Sequence, residues 1–277
     1  MSSPNRRILP GLQLSLGFTL FYLCVLVLIP LVACFTKASS LTGEQFLKAV
    51  WTERTRAAYL LTFGAAAIAA AIDTVLGLLL AWVLVRYEFP FKRLFDSLID
   101  LPFALPTAVA GLVYSSLYVK NGWLGQFLVP LGIQGAYSRL AIVLVLTFVG
   151  LPFVVRTVQP VLESLDAELE EASACLGATR WQTFTMVLLP ALYPALITGF
   201  SLTFARAIGE YGSVVFVSGN MPYKTEIAPV LIVARLEEFA YAEATAIAVV
   251  LLVASFAMLG VINILERRTQ AANSSAH

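Results

Sequence analysis

Six stretches of this sequence, about 14–35, 57–85, 98–119, 139–160, 191–218 and 240–265, carry at most two charged residues each. Each is long enough to cross ~30 Å of hydrocarbon as a helix. Lipid offers no hydrogen bonds, so a chain built this way must satisfy its backbone N–H and C=O groups within the spanning segments themselves. An open sheet fails that requirement, and the period-2 alternation of a membrane barrel does not occur. The predicted class is therefore all-α and integral to a membrane, with six transmembrane helices. Composition agrees, since 59% of the 277 residues are hydrophobic and 13% charged, against roughly 45–50% and 25% in soluble domains. The second and fifth stretches exceed the bilayer thickness, which predicts tilt or extension into the interface. The expected organisation is an N-terminal segment over 1–13, one membrane domain over 14–265 and a polar tail over 266–277. That tail, ending RRTQAANSSAH, is expected to be disordered.

Whole classes of chemistry drop out on residue type. The single histidine is His277, and the cysteines are Cys24, Cys34 and Cys175. No internal Ser/His or Cys/His pair, zinc tetrad or histidine-ligated haem can be assembled. Cys24 and Cys34 are separated by about 15 Å of helical rise, too far for a disulfide. All three thiols read as small packing residues. No G-x-x-x-x-G-K-[ST] loop is present, so no nucleotide and no cofactor is expected on this chain. A net charge of +1 gives no field for nucleic acid. The basic start MSSPNRRILPGLQLSLGF runs on into apolar sequence to Phe35 without a small-residue cleavage site, which predicts an uncleaved first span.

Six spans place both termini on one side. With the N-terminus inside, nine Lys and Arg fall on the inner side and eight outside, with Arg206 within a span. That difference decides little, although the clusters RR, RYEFPFKR and ERR all fall inside.

The segment 164–190 differs from its surroundings. Asp166 or Ser164 can cap a helix whose first turns hold Glu168, Glu170 and Glu171, the sign that a helix N-terminus favours. Leu169, Ala172 and Leu176 then share a face. Gly177 is placed to end that helix in the left-handed conformation. Thr179 with Gln182 forms a capping box for the next helix, whose apolar face is Trp181, Phe184 and Leu188, and Pro190 marks the start of the fifth span. The prediction is a folded two-helix element at the membrane surface, a form that also suits an interfacial helix lying on membrane lipid.

Spacing narrows the reading. EAS at 171–173, three residues, Gly177, nine residues, then Val187-x-Leu189-Pro190 resembles the EAA loop of ABC-importer permeases, with serine for alanine in the third place and valine for isoleucine. In that family the loop is cytoplasmic and docks on the ATPase subunit. Further stretches, namely RRILPG with LSLG, DLPFALPTAVAGL at 100–112, PFVVRTVQPVLE at 152–163, GATRWQTF at 177–184 and ARAIGEYGSVVFVSGN at 205–220, resemble the sulfate/thiosulfate permeases. The N-terminal segment and RTVQPVLE are most similar to the T-type subunit. The resemblance implies a type I ABC-importer permease fold with a cytoplasmic coupling loop over about 161–190. It also implies a bacterial plasma (inner) membrane location with both termini cytoplasmic. The partners it implies are a W-type permease, two ATP-binding cassette subunits that use ATP and Mg, and a periplasmic sulfate- or thiosulfate-binding protein. On that reading Glu170, Glu171, Ala172, Ser173, Gly177, Thr179, Leu189 and Pro190 form the coupling loop. A molybdate or tungstate permease is the nearest alternative, followed by a self-sufficient secondary anion transporter and, from another class, an intramembrane enzyme.

Passage of a dianion requires donors in place of its hydration shell. Arg206 lies ~20 Å into the fifth span if that helix starts near Pro190 or Tyr193. A charge there needs solvation or a partner. Glu210, one turn on, predicts an Arg206–Glu210 pair. Ser213 extends the polar side, and Gly199, Gly209 and Gly212 allow bending or close packing. In the third span Pro102 and Pro106 each remove a helical hydrogen bond, and Thr107 can compensate or offer its hydroxyl to the path. Asp73 and Asp100 would repel an anion, so both are expected to pair with Arg156 or with helix N-termini.

Overall fold

A computed structural model of the chain describes residues 12–274, without the side chains of residues 12, 13, 167 and 265–274. Expectations for Arg6 and Arg7, and for the side chains of Arg267 and Arg268, lie outside the described residues. The helices used below are α1 (Leu14–Ala38), α2 (Gly43–Val50), α3 (Glu53–Arg86), α4 (Lys92–Ile99), α5 (Leu101–Ala104), α6 (Thr107–Tyr118), α7 (Arg139–Ser164), α8 (Ala167–Cys175), α9 (Arg180–Ile208), α10 (Val214–Val217), α11 (Ala228–Glu237) and α12 (Tyr241–Ser274). Regular structure among the described residues is helical throughout.

Among the described residues five helices are long and apolar enough to cross a membrane: α1, α3, α7, α9 and the Tyr241–Ile264 part of α12. The third predicted span is the exception. It is divided into α4, α5 and α6, and the break before α6 falls where a residue that precedes proline is pushed out of the helical region. Leu105, ahead of Pro106, is extended at ψ 133° and ends α5. The fifth span also departs from expectation at both ends. It begins eleven residues earlier, at Arg180, and runs through Pro190 without a break. A π-turn over Phe184–Leu188 precedes the proline, with the Leu189 N–H reaching back five residues to the Phe184 carbonyl. It stops at Ile208 rather than near 218: the Glu210 N–H turns back three residues to the Ala207 carbonyl at 3.2 Å, and the Ser213 N–H goes to the Glu210 carboxylate at 2.9 Å. The tail expected to be disordered is helical as far as Ser274. Its Arg, Gln and Ala residues are good helix formers that can extend a helix already nucleated.

Side-chain caps set the starts of the long helices. Thr52 accepts from the Thr55 N–H at 3.1 Å, and Ser138 from the Ala141 N–H at 3.1 Å. Arg54 grips the buried Glu226 through two bonds of 2.7 Å, tying the start of α3 to the segment before α11.

The core lies where α3, α7 and α9 meet. One layer holds Ala66, Ala69 and Ala70 of α3, Ile142 and Val145 of α7 and Phe204 of α9. The next holds Ala81, Val154, Val158 and Leu192. Helices in lipid gain nothing from hiding apolar surface from water, so small residues that admit close approach decide the packing. A Cβ at Gly77 would lie 2.7 Å from Val154 side-chain atoms, and one at Gly199 2.6 Å from Thr157 Oγ1. The first helix, α1, is peripheral, with none of its apolar window buried. Cys24 on α1 and Cys175 on α8 are exposed, so the packing role expected of them is not met within this chain.

Gly77→Leu should therefore overpack the α3–α7 contact and destabilise the protein by about 1–3 kcal/mol. Thermal unfolding of the detergent-purified protein measures this. An unchanged midpoint would mean that the two helices do not approach so closely.

Candidate functional site

The first site is the segment at one end of the bundle. Helix α8 begins after Asp166, whose side chain makes no capping bond, and Ser164 instead donates to the Val161 carbonyl, so neither expected cap forms. The acidic first turn is left to stabilise that end. Its C-terminus is closed more completely. Gly177 is left-handed at φ +83°, its N–H reaches the Ala174 carbonyl at 2.9 Å, and the Ala178 N–H reaches that of Ser173 at 3.0 Å. This double closure is the Schellman arrangement. The next helix starts in the expected capping box, with Thr179 and Gln182 exchanging backbone and side-chain bonds of 2.8 and 3.3 Å.

Three contacts hold the two arms together and against α3, and none was visible in the sequence. Ser173 and Thr183 share a hydroxyl–hydroxyl bond of 2.8 Å across the turn, and both are buried. Serine at the third place of the motif thus supplies a bond that alanine could not. Arg86, the last residue of α3, pairs with Glu170. The same guanidinium lies 5.6 Å over the Trp82 ring, and Trp82 meets Phe184 edge to face at 5.4 Å. Pairing over such sequence distances leaves no local pattern, although an arginine ending a long apolar helix is a signal in itself.

The outer surface of this segment is bare. Leu169, Leu176, Trp181 and Met186 are exposed, Leu176 at 88% and Trp181 at 72%, and Glu171 and Ala172 are exposed beside them. Large exposed apolar side chains beside carboxylates are the kind of surface that interaction sites use. Leu189 and Pro190 are half-buried within α9.

The second site is the turn that follows α9. Arg206 stands in its last turn and pairs with Glu210 at 2.5 Å. Both lie where expected, except that Glu210 is beyond the helix end. The carboxylate of Glu210 also accepts the N–H and hydroxyl of Ser213, each at 2.9 Å. Glu210 and Ser213 are buried, whereas the Arg206 side chain is 35% exposed. Helix α6 closes over this turn through two glycines. A Cβ at Gly212 would strike Thr107 Oγ1, and one at Gly111 would strike the Ser213 carbonyl. Thr107, Arg206, Glu210 and Ser213 are thus gathered around one turn.

The two intramembrane aspartates divide. Asp100 holds Arg156 through bonds of 2.8 and 2.7 Å, as expected, and Asp96 adds a third of 2.7 Å that the sequence reading missed. Asp73 pairs with neither Arg156 nor a helix N-terminus. It is fully buried on α3, and both carboxyl oxygens lack a partner. Arg156 sits toward the far end of α7, beyond the level of Asp73, and is already satisfied by α4.

Comparison with known proteins agrees with this architecture. The family described as binding-protein-dependent transport system inner membrane component matches residues 73–271. The sulfate transport system permease protein CysT of Salmonella typhimurium is 49% identical over 264 residues, covering 95% of each chain. The same protein of Escherichia coli is 47% identical at the same coverage, and that of Synechococcus elongatus 49% identical over 93% of each. Among solved structures, a bacterial alginate ABC transporter in complex with alginate pentasaccharide-bound periplasmic protein superposes with a TM-score of 0.76 at 19% identity, over 93% of this chain and 94% of that one. A bacterial ABC transporter involved in the import of alginate gives 0.77 at 17% identity, over 93% and 95%. The fold is that of a type I ABC-importer permease, and this chain belongs to the family of inner-membrane components of binding-protein-dependent transport systems.

Proposed function

We propose that this chain is the T-type permease subunit of an ATP-driven sulfate/thiosulfate importer in a bacterial plasma membrane. The observation that carries the reading is identity near one half, over 95% of the chain, to sulfate permeases. The site chemistry is consistent with it, since Arg206, Ser213 and Thr107 provide the cation and hydroxyls that an oxyanion needs. A W-type permease completes the path, a periplasmic binding protein delivers sulfate or thiosulfate, and two ATP-binding cassette subunits hydrolyse ATP with Mg. This chain itself catalyses nothing and holds no cofactor. On this reading its exposed surface at Leu176 and Trp181, with Glu171 and Ala172, is the seat of an ATPase subunit, and that end and both termini are cytoplasmic.

The direct test is radiolabelled sulfate uptake by vesicles containing the complete complex with its binding protein. Uptake that requires ATP, is inhibited by thiosulfate and resists molybdate is expected. Uptake suppressed by molybdate would reassign the substrate, and uptake by this chain alone would make it a secondary transporter.

Two further outcomes follow from the geometry. Gly177→Val puts a β-branched side chain at φ +83° and opens the turn. The variant should remain in the membrane but lose most of its ATPase subunit in a pull-down, and normal retention would count against the docking role. For orientation, the native cysteines are first replaced by alanine. A cysteine introduced at Asn121 should then react with a membrane-impermeant thiol reagent in spheroplasts, and one at Ala178 should not. The reverse pattern would invert the topology.

A further inference from the structure

Asp73 has no use in the transport path as drawn so far. It is fully exposure-free in the middle of α3, and neither carboxyl oxygen finds a hydrogen-bond partner. Two neighbours confine it. Gly150 of α7 leaves room for its Oδ2, and the Thr203 methyl of α9 abuts the same glycine. The Thr203 hydroxyl is already committed to the Gly150 carbonyl at 3.1 Å. An acid retained in so dry a position needs a partner at some point in the protein's working life.

The packing register identifies which residue could supply one. Gly77 meets Val154 and Asp73 meets Gly150, four residues earlier on each helix, so α3 and α7 run parallel and in step. From Gly199 to Thr203 along α9, the partners on α7 step back from Val154 to Gly150, so α9 runs antiparallel. Continuing that register brings Arg206 level with Thr147, one turn from Asp73. Thr147 Oγ1 is buried and unpartnered as well. Side chains on a helix lean toward its N-terminus. On α9 that direction takes Arg206 back toward Thr203 and Asp73, and on α3 it takes Asp73 toward the Arg206 layer. One turn is about 5.4 Å of rise, within the span of an arginine side chain.

In this structure Arg206 points the other way, past the helix end to Glu210 at 2.5 Å. Glu210 does not depend on it alone, because Ser213 already supplies two donors. Asp73 has none. We propose that Arg206 exchanges carboxylates during transport, from Glu210 in this conformation to Asp73 in the alternate one, which makes Asp73 a positioning residue for the path. On Glu210 the half-exposed guanidinium keeps donors free for an anion. On Asp73 its charge is matched inside the bundle, and Glu210 stays negative beside the path, so the anion is held less tightly and leaves. This inference rests on the reading of Arg206 as a residue of the anion path.

The test uses the complete wild-type complex, imaged by electron cryomicroscopy without nucleotide and with ATP under conditions that block hydrolysis. In one of the two states Arg206 should lie within hydrogen-bond distance of Asp73, with Glu210 held by Ser213. Arg206 on Glu210 in both states would overturn the proposal, as would a water or a cation on Asp73 in both. Sulfate uptake by the wild-type complex is the control that separates the two readings, since its absence would sink the functional assignment and leave the partner exchange to be judged from the structures. Where the wild type transports, Asp73→Asn should lower uptake by about tenfold or more while ATP hydrolysis and assembly persist. In an Arg206→Met background the same change should add nothing. Normal uptake by Asp73→Asn, or losses that add in the double variant, would refute the exchange. Should Asp73→Asn fail to assemble, the wild-type structures still decide.

Discussion

Gly150 is where three helices of this bundle come into contact at once, with Asp73 of α3 on one side and Thr203 of α9 on the other. In water, apolar burial would hold such helices together over a broad surface. In lipid that drive is absent between helices, and adhesion depends on how closely backbones approach. Gly77, Gly150 and Gly199, each occupied by a neighbouring side chain, therefore determine the spacing and register of α3, α7 and α9. The remaining helices take their positions from this centre. The broken third segment is held to α7 by the Arg156 clamp and to the turn after α9 by Gly111 and Gly212.

What could be read from the sequence was whatever is encoded within about one helical turn. Gly177 as a left-handed stop, Thr179 with Gln182 as a box and Arg206 with Glu210 as a pair are all relations of three or four residues, or of one residue with its own backbone. The element boundaries that failed did so where two local signals compete. Pro190 reads as a helix start, yet the π-turn before it carries the helix through. Pro102 sits in the first turn of α5 and Pro106 follows its extended cap residue Leu105, so the span is divided instead of bent. The contacts that were missed join residues far apart in the chain: Arg86 to Glu170, Trp82 to Phe184 and Asp96 to Arg156. Asp73 and Asp100 look alike in sequence, each an acid in an apolar run. Only packing separates them, because Asp100 sits where α4 can bring it to Arg156 and Asp73 is enclosed by Gly150.

Charge placement follows the same geometry. At the end bearing α8, ions form a band of Arg86 with Glu170 and Arg156 with Asp96 and Asp100, half-exposed where headgroups and water can share their solvation. At the opposite end the partly exposed Arg54 matches the buried Glu226. Between these bands the chain keeps Arg206, Glu210 and Asp73. The cost of an intramembrane charge is at least ~2.5–3.5 kcal/mol, so three such groups close to one another are a concentration that packing alone does not require. Arg206 and Glu210 share one turn, and Asp73, the unmatched acid, lies deeper in the bundle beside Gly150.

The two sites are the ends of one helix. Helix α9 is unbroken over 29 residues from Arg180 to Ile208, about 40 Å at 1.5 Å per residue. Its first turn is capped inside the exposed segment by Thr179 and Gln182, and its last turn carries Arg206. On the proposed reading, a tilt imposed at Trp181 by a seated partner would reach the Arg206–Glu210 turn through two joints, Pro194 and the π-turn at Phe184–Leu188. That turn lies beside Trp82 and just beyond the Arg86–Glu170 pair, so the compliant part of the helix is also where α9 is tied to α3. Bending there would let the outer arm follow α8 while the inner arm pivots on Gly199 and Thr203, which pack against α7. The residues nearest the pivot move least and those past it, Arg206 and the Glu210–Ser213 turn, move most. A lever of this kind needs a stiff arm and a single tight fulcrum, and the small-residue contact at Gly150 supplies the fulcrum.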